Sequence, residues 1–302
     1  MAHCIDPECP ISSIAKIHHS SKLGDCCYIL NQTNTKTNRN KFFKLQILDV
    51  KSELYIYTRF GRTGLRGVST CKRYDKDSAF KMFEDIFYDK TGITWVNRYD
   101  RDPLIGKFVW IQTTESITDE QSERSITKYD IKTSHIDSKI YHLIDKLSSQ
   151  DLITSTLKSN NFDSEKMPLG ALGITQVTQG RLILTKIKSL IDTESDDIDM
   201  FESLSSQYYS IVPCNFGKEK RLPNIDILDR YEELNCNLDA LEDIIMAGDV
   251  IKLSKSADSS INPIDAIYNS LGVKLSMIDD DSEIFDIIKS WMRNTRGSTH
   301  SY

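Results

Sequence analysis

The stretch "LYIYTRFGRTGLRG", residues 54–67, decides the first element of the fold. Its first half alternates with a period of two, which predicts a β-strand with Leu54, Ile56 and Phe60 on one face. Three glycines spaced by three follow, interleaved with Arg62 and Arg66. Such a corner can be a plain hairpin that binds nothing. It can also be a phosphate site, because a guanidinium group can make two charge-assisted hydrogen bonds to one phosphate.

The segments on both sides of this stretch predict a small sheet. Between residues 26 and 111 lie three more short runs rich in aromatic and β-branched residues, "CCYILN", "KFFKLQIL" and "GKFVWIQ". One helical pattern interrupts them: Asp75 has the residue type of an N-cap, and "KTG" ends the helix near Gly92. A sheet that buries one face needs such a cover, so we expect a small antiparallel sheet with a covering helix.

The rest of the chain predicts helices. Residues 112–135 are rich in Ser, Thr and charged residues without periodicity, which predicts a linker. From residue 136 the apolar period changes to 3.6, which predicts an all-α bundle of about five or six helices. The residues that carry this period are Ile136, Ile140, Leu143, Ile144, Leu147, Leu152, Ile153, Leu157, Val177, Ile183, Leu184, Ile187, Leu190, Ile191, Leu204, Tyr208, Ile211, Leu234, Leu238, Leu241, Ile244 and Ile245. Residues 252–302 predict a short helix, a strand and another helix, and the fold class is therefore α+β multidomain.

The predicted sheet and the predicted bundle carry net charges of opposite sign. The formal net charge of the whole chain is −6, but residues 25–110 contain 16 Lys and Arg against 10 Asp and Glu, which gives +6. Residues 1–24 are balanced, and residues 111–302 carry −12. Only the predicted sheet region, residues 25–110, is therefore a candidate for binding a polyanion, and we call it the basic module.

Cysteine spacing and hydropathy indicate a protein that is not exported. The seven cysteines have no repeating spacing and form no CxxC-like pair, so we expect neither a disulfide scaffold nor a metal site. No apolar run is long enough for a signal peptide or a membrane span, so we expect an intracellular chain without a membrane partner.

Several motifs together resemble one known family. "YILNQTNTKTNRNKFFKLQIL", "RFGRTG", "DKTGITW" and "IGKF" resemble the WGR domain of the DNA-damage-activated poly(ADP-ribose) polymerases. "KMPLGALGITQVTQG" and "QYYSIVPCNFG" resemble the helical regulatory domain of that family, and "DSEIFDIIKSWMRNTRGSTHSY" resembles the start of its catalytic domain. The resemblance implies a WGR-like DNA-binding domain at 25–111. Outside it lie residues 1–24, which we expect to form a disordered tail, and the predicted linker at 112–135. The resemblance further implies a helical regulatory domain at 136–251 and an incomplete catalytic segment at 252–302.

The resemblance also implies a DNA site. In such domains an aromatic-Gly-Arg triplet meets a strand break: the ring packs on the terminal sugar or base, the glycine allows close approach, and the arginine meets the terminal phosphate. Here the triplet is Phe60, Gly61 and Arg62, where the family name implies a tryptophan, and Phe keeps a face for stacking. By the same matching, the site is also lined by Asn31, Lys41, Lys90, Trp95 and Phe108, the last of which replaces a common tyrosine.

Structural explanations of these residues remain open at this point. Trp95 and Phe108 have the residue type of a core as much as of a contact surface. Lys41 and Lys90 are also compatible with a solvated face, and Arg62 with a hairpin that binds nothing.

The resemblance implies a function in the nucleus. The partners would be DNA with strand breaks and 5′-phosphorylated ends, and also a full-length polymerase or other repair proteins. The family's transferase uses a His-Tyr-Glu set with its His in an HG pair, and none of the six histidines here precedes glycine. We therefore expect no catalytic residues and no cofactor in this chain, and NAD only as the substrate of the complete family enzyme.

The sequence and the resemblance are compatible with two functions of different classes and, with less support, with a third. The first is the break-sensing and autoinhibitory portion of a poly(ADP-ribose) polymerase-like protein. The second is an NAD-dependent protein ADP-ribosyltransferase whose catalytic core lies beyond the residues given. The weaker third is a protein-interaction module that no longer binds DNA, which the +6 module argues against.

Overall fold

The computed structural model describes residues 5–112, 134–149, 152, 172–216, 221–257 and 262–295. The chain divides into two compact units. Unit 1 comprises residues 1–125 and 150–248, and unit 2 comprises residues 126–149 and 249–302.

Unit 1 is built around an antiparallel sheet, as the sequence predicts. The strands of unit 1 are β1 Lys16–Ile17, β2 His19–Ser20, β3 Gly24–Asp25, β4 Cys27–Asn34, β5 Arg39–Val50, β6 Glu53–Arg62, β7 Val68–Tyr74 and β8 Val109–Trp110. In the main sheet they lie in the order β7-β6-β5-β4-β8, and β1 also pairs with β5. A second, two-stranded ribbon is formed by β2 and β3.

The predicted covering helix, α1 Lys76–Thr91, packs on one face of this sheet. Asp75 is its N-cap and accepts a hydrogen bond from the backbone N–H of Ser78 at 3.0 Å, and Gly92 ends it in the left-handed conformation. The helix contributes three residues to the core beneath it, Ala79, Phe83 and Phe87. The strands contribute Tyr28, Leu30, Phe43, Leu45, Ile47, Leu54 and Ile56.

The opposite face of the sheet is covered by the N-terminal residues, which corrects one prediction. The sequence predicts a disordered tail at 1–24, but β1 pairs with β5, and Cys9 lies in a buried cluster with Leu48 and Tyr57. The physical reason is that the second sheet face is also apolar and needs a cover. Cys9 and the partly buried Ile5, Ile11, Ala15 and Ile17 supply this cover, without any periodic pattern that the sequence could reveal.

A buried ion cluster fixes this N-terminal cover. The Asp6 carboxylate is fully buried and lies 3.0 Å from Lys44 Nζ and 2.8 Å from an Arg59 guanidinium nitrogen. Burial by itself raises the pKa of Asp6, but the charges of Lys44 and Arg59 outweigh it and hold that pKa below its ordinary value of 3.8. The cluster therefore stabilises the fold with Asp6 ionised.

Helices of the predicted bundle follow in unit 1, and one of them, α4 Ile198–Ile211, packs directly against this sheet. These helices also include α3 Ile174–Asp192, which packs on α4, and α5 Leu228–Ala257, whose residues from 249 onward belong to unit 2. Helix α4 lies along β4, where the hydroxyls of Ser210 and Ser206 accept the backbone N–H groups of Thr33 and Thr35 at 2.8 and 3.0 Å. These bonds satisfy a sheet edge that would otherwise expose unpaired N–H groups.

Unit 2 contains α2 Ser138–Leu147, α6 Pro263–Ser270 and α7 Glu283–Thr295. The Asp265 carboxylate is buried and accepts hydrogen bonds from Ser134 Oγ and from the backbone N–H of His135 at 2.9 Å. The strand that the sequence predicts after α6 is wrong, because residues 272–279 form no strand and no neighbouring strand is described to pair with them.

Three further observations concern the predicted organisation. Most of the predicted linker, residues 113–133, and the predicted helical residues Ile153 and Leu157 lie outside the described residues. Helix α7 is present as the sequence predicts. In the described part of the chain, no helix combines the length and the apolar character that crossing a membrane requires.

Candidate nucleic-acid interface

The corner that the sequence singles out lies at one end of the β5–β6 pair. Phe43 lies opposite Phe60, and Lys41 lies opposite Arg62. Directly opposed residues of an antiparallel pair share a face, and so do residues two apart on one strand, so these four side chains lie on the same face. It is also the face on which α1 packs, since Phe43 belongs to the core beneath that helix.

Phe60 presents an aromatic surface at this end of the sheet. Its side chain is 46% exposed, although it lies at the end of a well-paired strand. Its ring stacks on Phe43, with centroids 6.3 Å apart and an angle of 22° between the planes. The buried Phe43 thus supports the exposed ring from one side and limits its freedom, which favours stacking of a further flat group.

Lys90 brings the end of α1 to the same surface. Its Nζ lies 4.3 Å from the centroid of the Phe43 ring and 5.5 Å from that of Phe108. Phe108 is partly buried against the sheet core, so it is both a core residue and a wall of this surface. We call the surface formed by Lys41, Phe43, Phe60, Arg62, Lys90 and Phe108 the aromatic-basic face.

Arg62 is held by the turn between β4 and β5. One terminal nitrogen donates to the backbone carbonyl of Asn38 at 3.0 Å, and the other donates to Asn38 Oδ1 at 3.4 Å. Asn38 has a φ of 52°, in the left-handed region. The sequence analysis did not identify Asn38, although an Asn within a polar run between two strands is a typical turn residue.

The glycines of the corner have a structural reason. A Cβ on Gly61 would lie 2.7 Å from the Cα of Gly67, and a Cβ on Gly67, whose φ is 75°, would lie 2.5 Å from the carbonyl oxygen of Phe60. The close backbone approach that these glycines allow is thus between two parts of this chain. The hairpin therefore explains the glycines. It does not explain the exposed ring of Phe60 or the nearby cations.

Asn31 is not on the aromatic-basic face, which corrects its prediction as a surface residue of the site. It is 0% exposed and lies between the sheet and α4. Its Nδ2 donates to the carbonyls of Tyr209 at 2.9 Å and Ser210 at 3.1 Å, and its Oδ1 accepts from Thr63 Oγ1 at 2.8 Å. The reason is the strand alternation, which turns residue 31 to the opposite face from Phe43 and Phe60.

Trp95 is also a core residue. It is 4% exposed, and its Nε1 donates to the carbonyl of Leu23 at 3.0 Å. Its ring packs edge-on against Phe83 and Phe87, with centroids 4.8 and 5.0 Å away. Of the two explanations that the sequence left open for Trp95, the structure selects the core.

A cleft of about 490 Å³ opens between the end of β4, the loop 102–107 and helices α3 and α4. Leu104, Ile105 and Leu182 line it and are exposed. In the described part of the chain, no group of three His, Cys, Asp or Glu side chains is arranged to hold a metal ion.

Comparison with known protein families gives two matches. Residues 27–102 match the WGR domain family. Residues 134–268 match the family described as the poly(ADP-ribose) polymerase regulatory domain. The second match extends past residue 251, where the sequence analysis ended the regulatory domain, and it includes most of α6.

Curated relatives align with nearly the whole chain. It is 28% identical over 291 residues to poly [ADP-ribose] polymerase 2 of Zea mays, with 94% of this chain and 44% of the relative covered. It is 28% identical over 302 residues to poly [ADP-ribose] polymerase of Drosophila melanogaster, with 98% and 30% covered. It is 27% identical over 311 residues to human protein mono-ADP-ribosyltransferase PARP3, with 98% and 57% covered.

The chain spans between about a third and somewhat more than half of the length of these relatives. The two domain matches follow one another in the order that the sequence predicts. The chain therefore carries a WGR domain and a poly(ADP-ribose) polymerase regulatory domain, and it is similar over nearly its whole length to curated poly(ADP-ribose) polymerases.

Proposed function

We propose that this chain recognises DNA strand breaks with a 5′-phosphorylated end through the aromatic-basic face. It acts as the sensing and regulatory portion of a poly(ADP-ribose) polymerase-like protein in the nuclear response to DNA damage. The observation that carries the proposal is the exposed Phe60 ring, stacked on Phe43 and lying beside Arg62 and Lys41.

This arrangement suits a broken end better than intact duplex. An intact duplex buries its base faces, whereas a break leaves a terminal base or sugar on which an aromatic ring can pack. A 5′-phosphate at the same break adds charge that the Arg62 fork can bind with two hydrogen bonds. Lys41 and Lys90 add affinity that does not depend on sequence and that decreases with salt.

The connection between the sheet and α4 supports a regulatory role. Asn31 and Thr33 of β4, and Thr35 just after its end, form hydrogen bonds to α4. A change at the end of the sheet therefore reaches a helix of the regulatory domain through a rigid contact rather than through a flexible tether. The proposed regulation is that binding of a break shifts the packing of these helices.

Binding of the full chain to DNA dumbbells tests the proposal. Fluorescence anisotropy compares a dumbbell that has one nick and a 5′-phosphate with the same dumbbell after ligation. We expect tighter binding to the nicked form. Phe60→Ala and Arg62→Ala should each lower the affinity for it about tenfold, since stacking of one base or one charge-assisted fork contributes about 1–3 kcal/mol. Arg62→Ala should also reduce the slope of log affinity against log salt by about one.

Lys81→Ala is the matched control, because Lys81 is exposed on α1 and its removal also lowers the charge by one. It should change the affinity less than Arg62→Ala does. Equal affinity of the parent protein for the nicked and the ligated dumbbell would contradict recognition of breaks. An equal loss of affinity in Lys81→Ala and Arg62→Ala would show that net charge alone accounts for the effect of Arg62.

A further inference from the structure

Two thiols meet where the N-terminal cover packs on the sheet of unit 1. Cys9 is 3% exposed and lies in the buried cluster with Leu48 and Tyr57, and the half-buried Cys71 packs against the same cluster. The side chains of Cys9 and Cys71 are hydrogen-bonded to each other, and both are free thiols. Sulfur atoms in hydrogen-bond contact need only a small movement to reach the length of a disulfide bond, about 2.05 Å.

Cys71 is the more accessible of the two thiols. It lies in β7, the last strand at one edge of the sheet, directly opposite Tyr57 of β6. Among the described residues, no further strand pairs with the outer side of β7. A reagent in solution therefore meets the half-buried Cys71 first, and the buried Cys9 second.

The turn that contains Cys9 is attached to several parts of the sheet region. The backbone N–H of Cys9 donates to the carbonyl of Asp6 at 2.9 Å, which closes the turn. The Asp6 carboxylate forms its ion pair with Arg59 of β6. The Glu8 carboxylate lies 2.6 Å from a terminal nitrogen of Arg66, in the glycine corner. These attachments are ion pairs, whereas the contact of Cys9 with β7 can become covalent.

We propose that Cys9 and Cys71 are a redox-active dithiol that closes to a disulfide by exchange with a low-molecular-weight disulfide and so locks the N-terminal cover onto β7. The Cys71 thiolate attacks one sulfur of the small disulfide, and the thiolate that leaves takes up the proton that Cys71 lost. The Cys9 thiolate then attacks the Cys71 sulfur of this mixed disulfide, and the second small thiol leaves with the proton of Cys9. Two protein thiols are thus oxidised, and one small disulfide is reduced to two thiols. The site does not depend on DNA binding.

Burial determines how fast this exchange runs and how long its product lasts. It raises the pKa of Cys71 to about 11, and it also raises the pKa of Cys9. Few thiolates are present at neutral pH, so closure is slow and follows sustained oxidation. A thiol with a raised pKa is a poor leaving group, so the mixed disulfide releases the small thiol in preference to Cys71. For the same reason, the closed disulfide resists attack by other thiols.

Oxidised glutathione tests the proposal on the full chain by peptide mapping. Cys4→Ser serves as the parent, because Cys4 and Cys9 lie in the same tryptic peptide, residues 1–16. After incubation and blocking of free thiols, mass spectrometry should find this peptide joined to the one that contains Cys71, residues 67–72. A glutathione adduct on Cys71 without joined peptides would overturn the proposal.

Two other cysteines are internal controls in the same digest. Cys26 is 0% exposed, and its thiol donates to the carbonyl of Gly24 at 3.6 Å, so it should stay reduced. The exposed Cys236 of α5 should take up glutathione, which verifies that the reagent was active. Joining of Cys9 to either of these cysteines instead of Cys71 would contradict the pairing.

Single variants separate the two steps. Cys9→Ala should stop at the mixed disulfide on Cys71, because the second thiol is missing. Cys71→Ser should leave Cys9 unmodified, since Cys9 is buried behind the thiol that the reagent meets first. Glutathione on Cys9 of a folded Cys71→Ser protein would refute this order. The peptide map of the parent decides the pairing even where a variant does not fold.

Thermal unfolding measures the lock. Cys9 and Cys71 are 62 positions apart in the chain, and closing a loop of this length should raise the melting temperature of the oxidised parent by about 5–10 °C. Dithiothreitol should reverse the rise, and Cys71→Ser treated with oxidised glutathione should show none. Joined peptides with an unchanged melting temperature would refute the lock. None of these results bears on break recognition, which the dumbbell titrations test separately.

Discussion

Asn31→Ala tests whether residue 31 is part of the fold or part of a DNA contact. The amide of Asn31 joins the carbonyls of Tyr209 and Ser210 to the hydroxyl of Thr63, all within the buried contact between β4 and α4. The carbonyl of Tyr209 keeps a second donor, Thr33 Oγ1 at 3.1 Å. The substitution therefore leaves two buried groups without this partner, the hydroxyl of Thr63 and the carbonyl of Ser210.

The expected loss in the free energy of unfolding follows from these two groups. A buried polar group that loses its partner costs about 1–3 kcal/mol, so we expect Asn31→Ala to lower the free energy of unfolding by about 3 kcal/mol. For a unit of this size, that corresponds to a fall of about 6–12 °C in the melting temperature. Gln32→Ala is the control, because Gln32 lies next in sequence and has a solvent-exposed bond to the carbonyl of Gly106. It should change stability by less than about 0.5 kcal/mol.

Thermal unfolding followed by circular dichroism measures the effect, and anisotropy with the nicked dumbbell at a temperature where Asn31→Ala is folded measures DNA binding. We expect a large loss of stability and nearly unchanged affinity. An unchanged melting temperature together with a lost affinity would refute the structural assignment and restore Asn31 to the DNA contact that the sequence predicts.

Three further predictions concern stability. The pKa of Asp6 is held below its ordinary value of 3.8, so its contribution should be complete above about pH 3.8 and lost as the pH falls through the lower, folded-state pKa. Asp6→Asn should remove the acid-dependent part of the free energy of unfolding. It should cost about 3 kcal/mol at pH 7, because Lys44 and Arg59 lose a buried counter-charge. Equal acid unfolding curves of parent and variant would argue against this role of Asp6. Gly61→Ala should cost about 1–3 kcal/mol in urea unfolding, because its Cβ would lie 2.7 Å from a backbone atom, and a neutral result would mean that the corner yields freely. Asp75→Ala should cost about 1 kcal/mol through loss of the cap of α1, with Asp77→Ala as control, and equal effects of the two would exclude a specific cap.

Local patterns in the sequence were sufficient for strands β4, β5 and β6 and for helix α1. The alternation from Leu54 to Phe60 determined β6, and the cap residue Asp75 and Gly92 gave the ends of α1 within one residue. The aromatic-Gly-Arg corner and the excess of positive charge were also readable, because each depends on residues close together in the chain. Hydrogen-bond caps and side-chain periods act over a few residues, so they are visible without the fold.

The composition of the candidate site depended on the tertiary structure. Lys41 and Arg62 lie side by side because of the β5–β6 register, and Lys90 joins them only because the end of α1 lies above Phe43. Trp95 has the residue type of a stacking surface, yet it lies in the core. Whether an aromatic or a lysine is exposed depends on which other element packs there, and this information is distributed along the chain.

The N-terminal cover and the attachment of the regulatory helices were also decided by the tertiary structure alone. Asp6 interacts with residues 38 and 53 positions away, and Asn31 interacts with carbonyls 178 and 179 positions away. A polar residue is equally suited to solvent, to nucleic acid or to a buried partner, and its own sequence neighbourhood does not distinguish these. The burial that makes an unpaired amide costly forms only when the two distant segments pack together, so the role of Asn31 follows from that packing.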